Sequence, residues 1–138
     1  MSAPDPLGAA MRMAQLALDN QSTRMRVVSE NLANAQSTAD APGADPYRRK
    51  TVSFAEVSME APSGPRARIG TDRSAFGSRH DPDHPAANAE GNVAMPNVSP
   101  LVEMADMREA SRLFEANVQV LRQARNLVSS TIDLMRNR

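Results

Sequence analysis

The chain has no cysteine and no tryptophan, and only three phenylalanines and one tyrosine among its 138 residues. Without cysteine there is no disulfide, no thiolate metal ligand and no cysteine nucleophile. With so few aromatics the apolar share rests on alanine and nine methionines, so apolar surface is spread thin rather than gathered into a thick core. Net charge is missing as well. Sixteen basic and sixteen acidic residues cancel, which argues against nucleic acid, because polyanion binders need a basic excess to neutralise phosphates. No apolar run approaches the length of a membrane span. Met1 to Gln15 holds neither a continuous apolar h-region nor an Ala-x-Ala cleavage site, so any export is expected to proceed without an ordinary cleaved signal peptide. There is no glycine-rich phosphate loop, no serine in a nucleophile elbow and no carboxylate pair on a regular element. The chain is therefore not read as an enzyme, and no cofactor is expected.

What is present is arranged in three parts. Seven of the ten prolines and five of the six glycines lie between Ala41 and Pro96, which leaves both ends nearly free of helix breakers. The pattern predicts a mainly α protein with two long terminal helices around a loop-rich middle segment: residues 1–36, 37–97 and 98–138. The first helix is expected to start at Asp5-Pro6, a capping carboxylate followed by a proline whose missing N–H costs nothing at the first helical position. Ser99-Pro100 starts the second in the same way.

Along the first helix Leu7, Met11, Ala14, Leu18, Gln21, Met25, Val28, Leu32 and Ala35 recur at alternating steps of four and three, the spacing of a coiled-coil seam broken only by Gln21. The second helix carries two such lines. One runs Met104, Met107, Ser111, Phe114, Val118, Leu121, Arg125, Val128, Ile132 and Met135; the other runs Leu113, Asn117, Val120, Ala124, Leu127, Thr131 and Leu134. Lines about 100° apart on one helix imply more than one neighbour. A single partner helix buries one line at most, so both ends are expected to be weakly ordered in the free chain and to fold on assembly. Glu109, Arg112 and Glu115, three apart, are expected to form an ion-pair ladder on a solvated face.

The middle segment predicts a hairpin, with one strand within Tyr47–Val57, a weaker one at Ala67–Ile69, and a turn through "MEAPSGPRARIG". Arg48, Arg49 and Lys50, with Arg66 and Arg68, lack any base-stacking aromatic platform and are expected to be charges that protect a solvated strand edge. Farther on, His80, Asp81, Asp83, His84 and Glu90 offer donors of the type that binds zinc. Pro82 and Pro85 exclude a helical ligand spacing there, so the stretch is expected to make rigid turns and no metal site. In "SENLANAQST", Asn31, Asn34, Ser37 and Thr38 are expected to bond the last helical carbonyls and end the first helix.

Three stretches together carry a resemblance: "SENLANAQST", "YRRK" at Tyr47 to Lys50, and "DPDHPAANAEGNVAMPNVSPLVEMADMREASRLFEANVQVL" from Asp81 to Leu121. They resemble the proximal-rod protein C family of the bacterial flagellar basal body. In this chain His80 stands where that family often has an aromatic, Asn92 where a tyrosine is frequent, and Phe114 in place of another frequent tyrosine. The resemblance implies a structural, periplasm-crossing rod subunit exported through the flagellar type III apparatus. Its terminal helices would form a coiled-coil axial domain and its middle segment would face outward. Implied partners are copies of itself, other rod proteins, and the MS-ring and export-gate proteins at the rod base. The subunit-interface residues expected on this reading are Leu7, Met11, Leu18, Met25, Val28, Asn31, Leu32 and Asn34 on the first helix, and Met104, Met107, Phe114, Asn117, Val118, Leu121, Leu127, Val128, Ile132 and Leu134 on the second. Two other classes follow from the residues alone: a soluble adaptor that binds a partner helix, and a metal-binding protein that uses His80 and His84.

Overall fold

Proline is tolerated in the first turn of a helix, where its missing N–H costs nothing. The computed structural model describes residues 6–54 and 64–136. Helix α1 spans Pro6–Ala33 and α2 spans Pro100–Arg136, each starting at the proline that the sequence places in the first turn. Their direction follows from two contacts. Asn31 reaches Glu103 while Arg24 reaches Asp106 and Glu109, so residue numbers fall on α1 as they rise on α2 and the pair is antiparallel. The middle segment adds a further contact, since Asn31 of α1 bonds the Lys50 backbone as well as Glu103 of α2.

Strand β1 (Lys50–Phe54) pairs antiparallel with β2 (Ala67–Thr71), with Val52 opposite Ile69 and Phe54 opposite Ala67. The strand expected within Tyr47–Val57 is thus shorter than drawn at its start, and Ala55 to Val57 lie outside the described residues. Asn20 fastens this hairpin to α1, its Nδ2 donating to the Pro65 carbonyl (2.6 Å) and its Oδ1 accepting from the Ala67 N–H (2.9 Å). Gly64, at a φ of +69° beside Leu16, occupies a position where a Cβ would collide with that leucine.

A second antiparallel pair, β3 (Gly77–His80) with β4 (Asn92–Met95), was not expected from the sequence. Four-residue strands such as "GSRH" show no apolar alternation, and only their partner reveals them. The stretch between them makes turns, as expected: His84 N–H bonds the Asp81 carbonyl and Ala87 N–H the His84 carbonyl.

The core is thin and built of small residues. Ala14, Val27 and Val28 of α1, Val93 of β4, and Ala110 and Ala124 of α2 are buried. On α2 the line that meets α1 is Glu103, Met107, Ala110, Phe114, Asn117, Leu121, Ala124 and Val128, every one buried or half-buried. It runs between the two lines read from the sequence and takes members from each. Leu113, Val120, Leu127 and Leu134, which with Asn117, Ala124 and Thr131 made the second expected line, are exposed. Met104 and Ile132 of the first line are exposed too.

Candidate assembly surface and its polar anchor

Helix α1 ends at a node of polar side chains buried against the start of α2. Asn31 is 1% exposed and Glu103 0%, and burial at that depth requires that both be satisfied. Asn31 uses its whole bonding capacity. Its Nδ2 donates to the Lys50 carbonyl (2.8 Å) and to Glu103 Oε2 (3.0 Å), and its Oδ1 accepts from Lys50 N–H (2.9 Å) and the Tyr47 hydroxyl (2.9 Å). The amide thereby joins α1, β1 and α2 at one point. Glu103 takes its second partner from Arg49 Nε, and the same guanidinium lies 3.6 Å from Asp72 and 3.8 Å from Asp106.

The charges around this node are matched. Partial burial opposes the charge on Arg49, but the hydrogen bond and negative charge of Glu103, with Asp72 and Asp106 behind it, more than offset that and raise its pKa. Arg24 donates to Asp106 (2.9 Å) and Glu109 (3.1 Å). Lys50 Nζ donates to Glu30 (2.6 Å), which lowers the Glu30 pKa and raises that of Lys50. Asn97 accepts the Arg49 N–H (2.8 Å) and donates to the Asp72 carbonyl (3.1 Å), holding the turn after β2 against the approach to α2. Tyr47 has a raised pKa because burial disfavours its phenolate.

Several sequence expectations are corrected here. The run Arg48-Arg49-Lys50 is not a solvated strand edge: Arg49 and Lys50 serve the node, and Arg48 lies over the Phe76 ring at 4.1 Å. Glu109 reaches across to Arg24 instead of forming a ladder with Arg112 and Glu115. Of the four residues expected to cap α1, Asn34 does so, donating to the Glu30 carbonyl (2.9 Å), with Ser37 bonded to Asn34 Oδ1 (3.0 Å). Asn31 does not, because strand and helix partners take all of its bonds, and Thr38 instead meets His84 Nε2 (3.2 Å). His84 Nδ1 accepts the Ala86 N–H (3.0 Å) and His80 Nδ1 meets Asn92 Oδ1 (3.2 Å), so both imidazoles are tied into the loop between β3 and β4. Among the described residues no group of three or more donors is placed to hold a metal ion.

The expected interface residues fall into two sets. Val28 and Asn31 are buried; Leu7, Met11, Leu18, Met25, Leu32, Asn34, Met107, Phe114, Asn117, Val118, Leu121 and Val128 are half-buried. Met104, Leu127, Ile132 and Leu134 are open. Sequence reasoning missed Glu103, Arg49 and Tyr47, whose partners are far off in the chain. It also left Leu113 and Val120 out of the interface set, although the exposed line Leu113, Val120, Leu127, Leu134 keeps a seven-residue repeat along one side of α2.

A helical pair with an open apolar line on its longer member belongs to a class that packs side by side with other helices. Residues 89–134, which hold β4 and nearly all of α2, match the family described as Flagellar basal body rod FlgEFG protein C-terminal, so the class is that of the flagellar rod proteins. Across nearly its full length the chain is similar to proteins named flagellar basal-body rod protein FlgC. It is 55% identical to the one from Agrobacterium fabrum, covering 96% of this chain and 97% of that protein. It is 35% identical to the one from Bacillus subtilis, covering 91% and 95%, and 36% identical to the one from Escherichia coli O157:H7, covering 88% and 92%. The chain belongs to the FlgC family of flagellar basal-body rod proteins.

Proposed function

We propose that this chain is a structural subunit of the proximal rod of the flagellar basal body, and that it polymerises through its terminal helices into the shaft that transmits motor torque. The observation that carries this reading is the open line on α2. Leu113, Val120, Leu127 and Leu134 repeat every seven residues and lie exposed on the helix, while α1 already occupies the adjacent line. A row of exposed large apolar residues marks an interaction site, and a seven-residue repeat is the spacing at which another helix packs.

Torque is a shear load between subunits, and long interlocked helices resist it through many small packing contacts. No reaction is needed. In this reading residues 1–36 and 98–138 form a coiled-coil axial domain, and residues 37–97 face outward toward neighbours. The subunit reaches the periplasm without a cleaved signal peptide and meets copies of itself, other rod proteins, and the MS-ring and export-gate proteins at the rod base. No helix among the described residues is long and apolar enough to cross a membrane.

The test is Val120→Ser with Leu127→Ser, both at exposed positions. Secreted protein and protein retained in purified basal bodies are quantified side by side. Export at the parent level with failed incorporation is the expected result. Incorporation at the parent level would overturn the assignment of this line to an assembly contact.

A further inference from the structure

Both small sheets leave a strand edge open. On β1 the outer edge is closed at Lys50, whose N–H and C=O both bond the Asn31 side chain. On β2 the outer edge is closed at Ala67, whose N–H bonds Asn20 Oδ1. Along an antiparallel ladder, successive residues turn their N–H and C=O to opposite edges. Asp72 N–H bonds the Arg49 carbonyl, so Gly70 and Arg68 point to β1 while Ile69 and Thr71, both exposed, point away from it. On β3, Asp81 N–H bonds the Gly91 carbonyl, so Arg79 and Gly77 point to β4 and Ser78 and His80 point outward, on a strand exposed along its whole length. Among the described residues no backbone group outside their own sheets bonds Ile69, Thr71, Ser78 or His80. A pair of strands is marginal by itself, and an open edge is a template for a further strand.

We infer that the open edge of β2 takes β3 of a second copy of this chain as its third strand. Antiparallel pairing of Ile69 with His80 and of Thr71 with Ser78 lets all four residues exchange their outward N–H and C=O bonds. Charge selects this register. It sets Arg68, exposed on β2, opposite Asp81, which already holds Arg79 of its own strand at 3.2 Å, and it sets Arg79 opposite Gly70, which has no side chain to obstruct it. A parallel pairing would set Arg68 beside Gly77 and leave the acid unmatched. Arg66 contributes less, because Asp19 of its own copy borders the hollow beside it. The pairing also has a natural end. The next bonded pair would be Ala67 with Pro82, but Ala67 N–H is taken by Asn20 and Pro82 has no N–H. Within one copy the two edges belong to separate sheets, so the contact joins unlike surfaces and leaves each copy one edge for the next. The inference rests on the assembly reading only for the setting in which copies meet; the strand pairing itself needs no helix contact.

The experiment uses the absence of cysteine. Thr71→Cys and Ser78→Cys, both at exposed positions, are placed in separate full chains, and the two purified proteins are mixed at high concentration in a glutathione redox buffer. A hydrogen-bonded antiparallel pair holds its Cα atoms about 5.5 Å apart, within reach of a disulfide. The mixed disulfide is expected to exceed either symmetric dimer by about tenfold, where random pairing gives about twofold. Arg68→Glu in the Thr71→Cys chain is expected to lower that excess about fivefold, and Asp81→Lys added to the Ser78→Cys chain is expected to restore it. The excess is also expected to persist when both chains carry Val120→Ser and Leu127→Ser.

Random pairing in the first mixture would overturn the strand contact. So would an excess that Arg68→Glu leaves unchanged or that Asp81→Lys fails to restore, because the register would then be another. Loss of the excess with Val120→Ser and Leu127→Ser would trace the dimer to α2 and overturn it as well. A failed strand contact leaves the incorporation test of the α2 line as it stands. Failed incorporation of the serine variants, with the excess kept, leaves the strand contact standing.

Discussion

Asn31→Ala isolates what one buried amide contributes to this fold. The substitution removes four hydrogen bonds at once. Tyr47 is half-buried and its hydroxyl can turn to water, and Glu103 keeps Arg49. The Lys50 N–H and carbonyl and the buried Glu103 Oε2 are the groups left without their partner, since Arg49 bonds Glu103 Oε1. At about 1–3 kcal/mol for each of these three groups that loses its partner, the expected loss is ~3–9 kcal/mol, a large share of the ~5–15 kcal/mol that holds a domain together. Asn34→Ala is the internal comparison. That amide bonds one helical carbonyl and receives Ser37 at a half-buried position, so its loss should cost about 1 kcal/mol. Urea unfolding followed by helical circular dichroism gives both values, provided the slope with denaturant is unchanged. Equal losses for the two variants, or a loss below about 1 kcal/mol for Asn31→Ala, would refute the claim that two asparagines three residues apart do different work.

Leu121 faces α1 and Val120 faces solvent, so Leu121→Asp should lower monomer stability by about 3 kcal/mol or more through a buried charge, while Val120→Asp should change it by no more than ~0.5 kcal/mol; thermal melts of the two purified variants distinguish them. Gly91 sits at a φ of +76°, where a Cβ would lie 3.0 Å from His80 Cε1 and 3.1 Å from Pro82 Cβ. Gly91→Ala should therefore cost about 1–2 kcal/mol and speed hydrogen exchange of the Asn92 amide, which bonds Asn88 Oδ1 in the same loop. The Glu30 pKa is lowered chiefly by the hydrogen bond from Lys50, so its contribution is fully present above the unfolded carboxylate pKa and is lost as pH falls through the folded one. Glu30→Gln should flatten the dependence of the urea midpoint on pH between about pH 6 and pH 3, and an unchanged slope would remove Glu30 from the acid response.

The helix starts were legible in the sequence because their causes are local. A proline fits the first turn of a helix whatever the rest of the chain does, and α2 begins at Pro100 while α1 is described from Pro6 onward, Asp5 lying outside the described residues. Thr51, Val52 and Phe54 likewise marked β1 through their own preference for extended backbone. The heptad spacing of the ends and the concentration of breakers in the middle determined a helical pair with an irregular insert, and the quoted stretches were enough to place the family.

Tertiary structure alone decided which line of α2 faces inward. Both expected lines are apolar at the same spacing, and the inward face runs between them, taking Met107, Phe114, Leu121 and Val128 from one and Asn117 and Ala124 from the other; the polar contacts at its head join Asn31 to Glu103 across 72 residues and Arg49 to Glu103 across 54. In the sequence Asn31 reads as a helix stop and Arg49 as a solvated base, and Glu103 carries no local signal that sets it apart. Only when the strand after α1 brings Arg49 beside the start of α2 does a buried carboxylate become affordable there. The β3–β4 pair has the same origin, since four residues too short and too polar to signal a strand acquire one from the partner that completes their backbone hydrogen bonds.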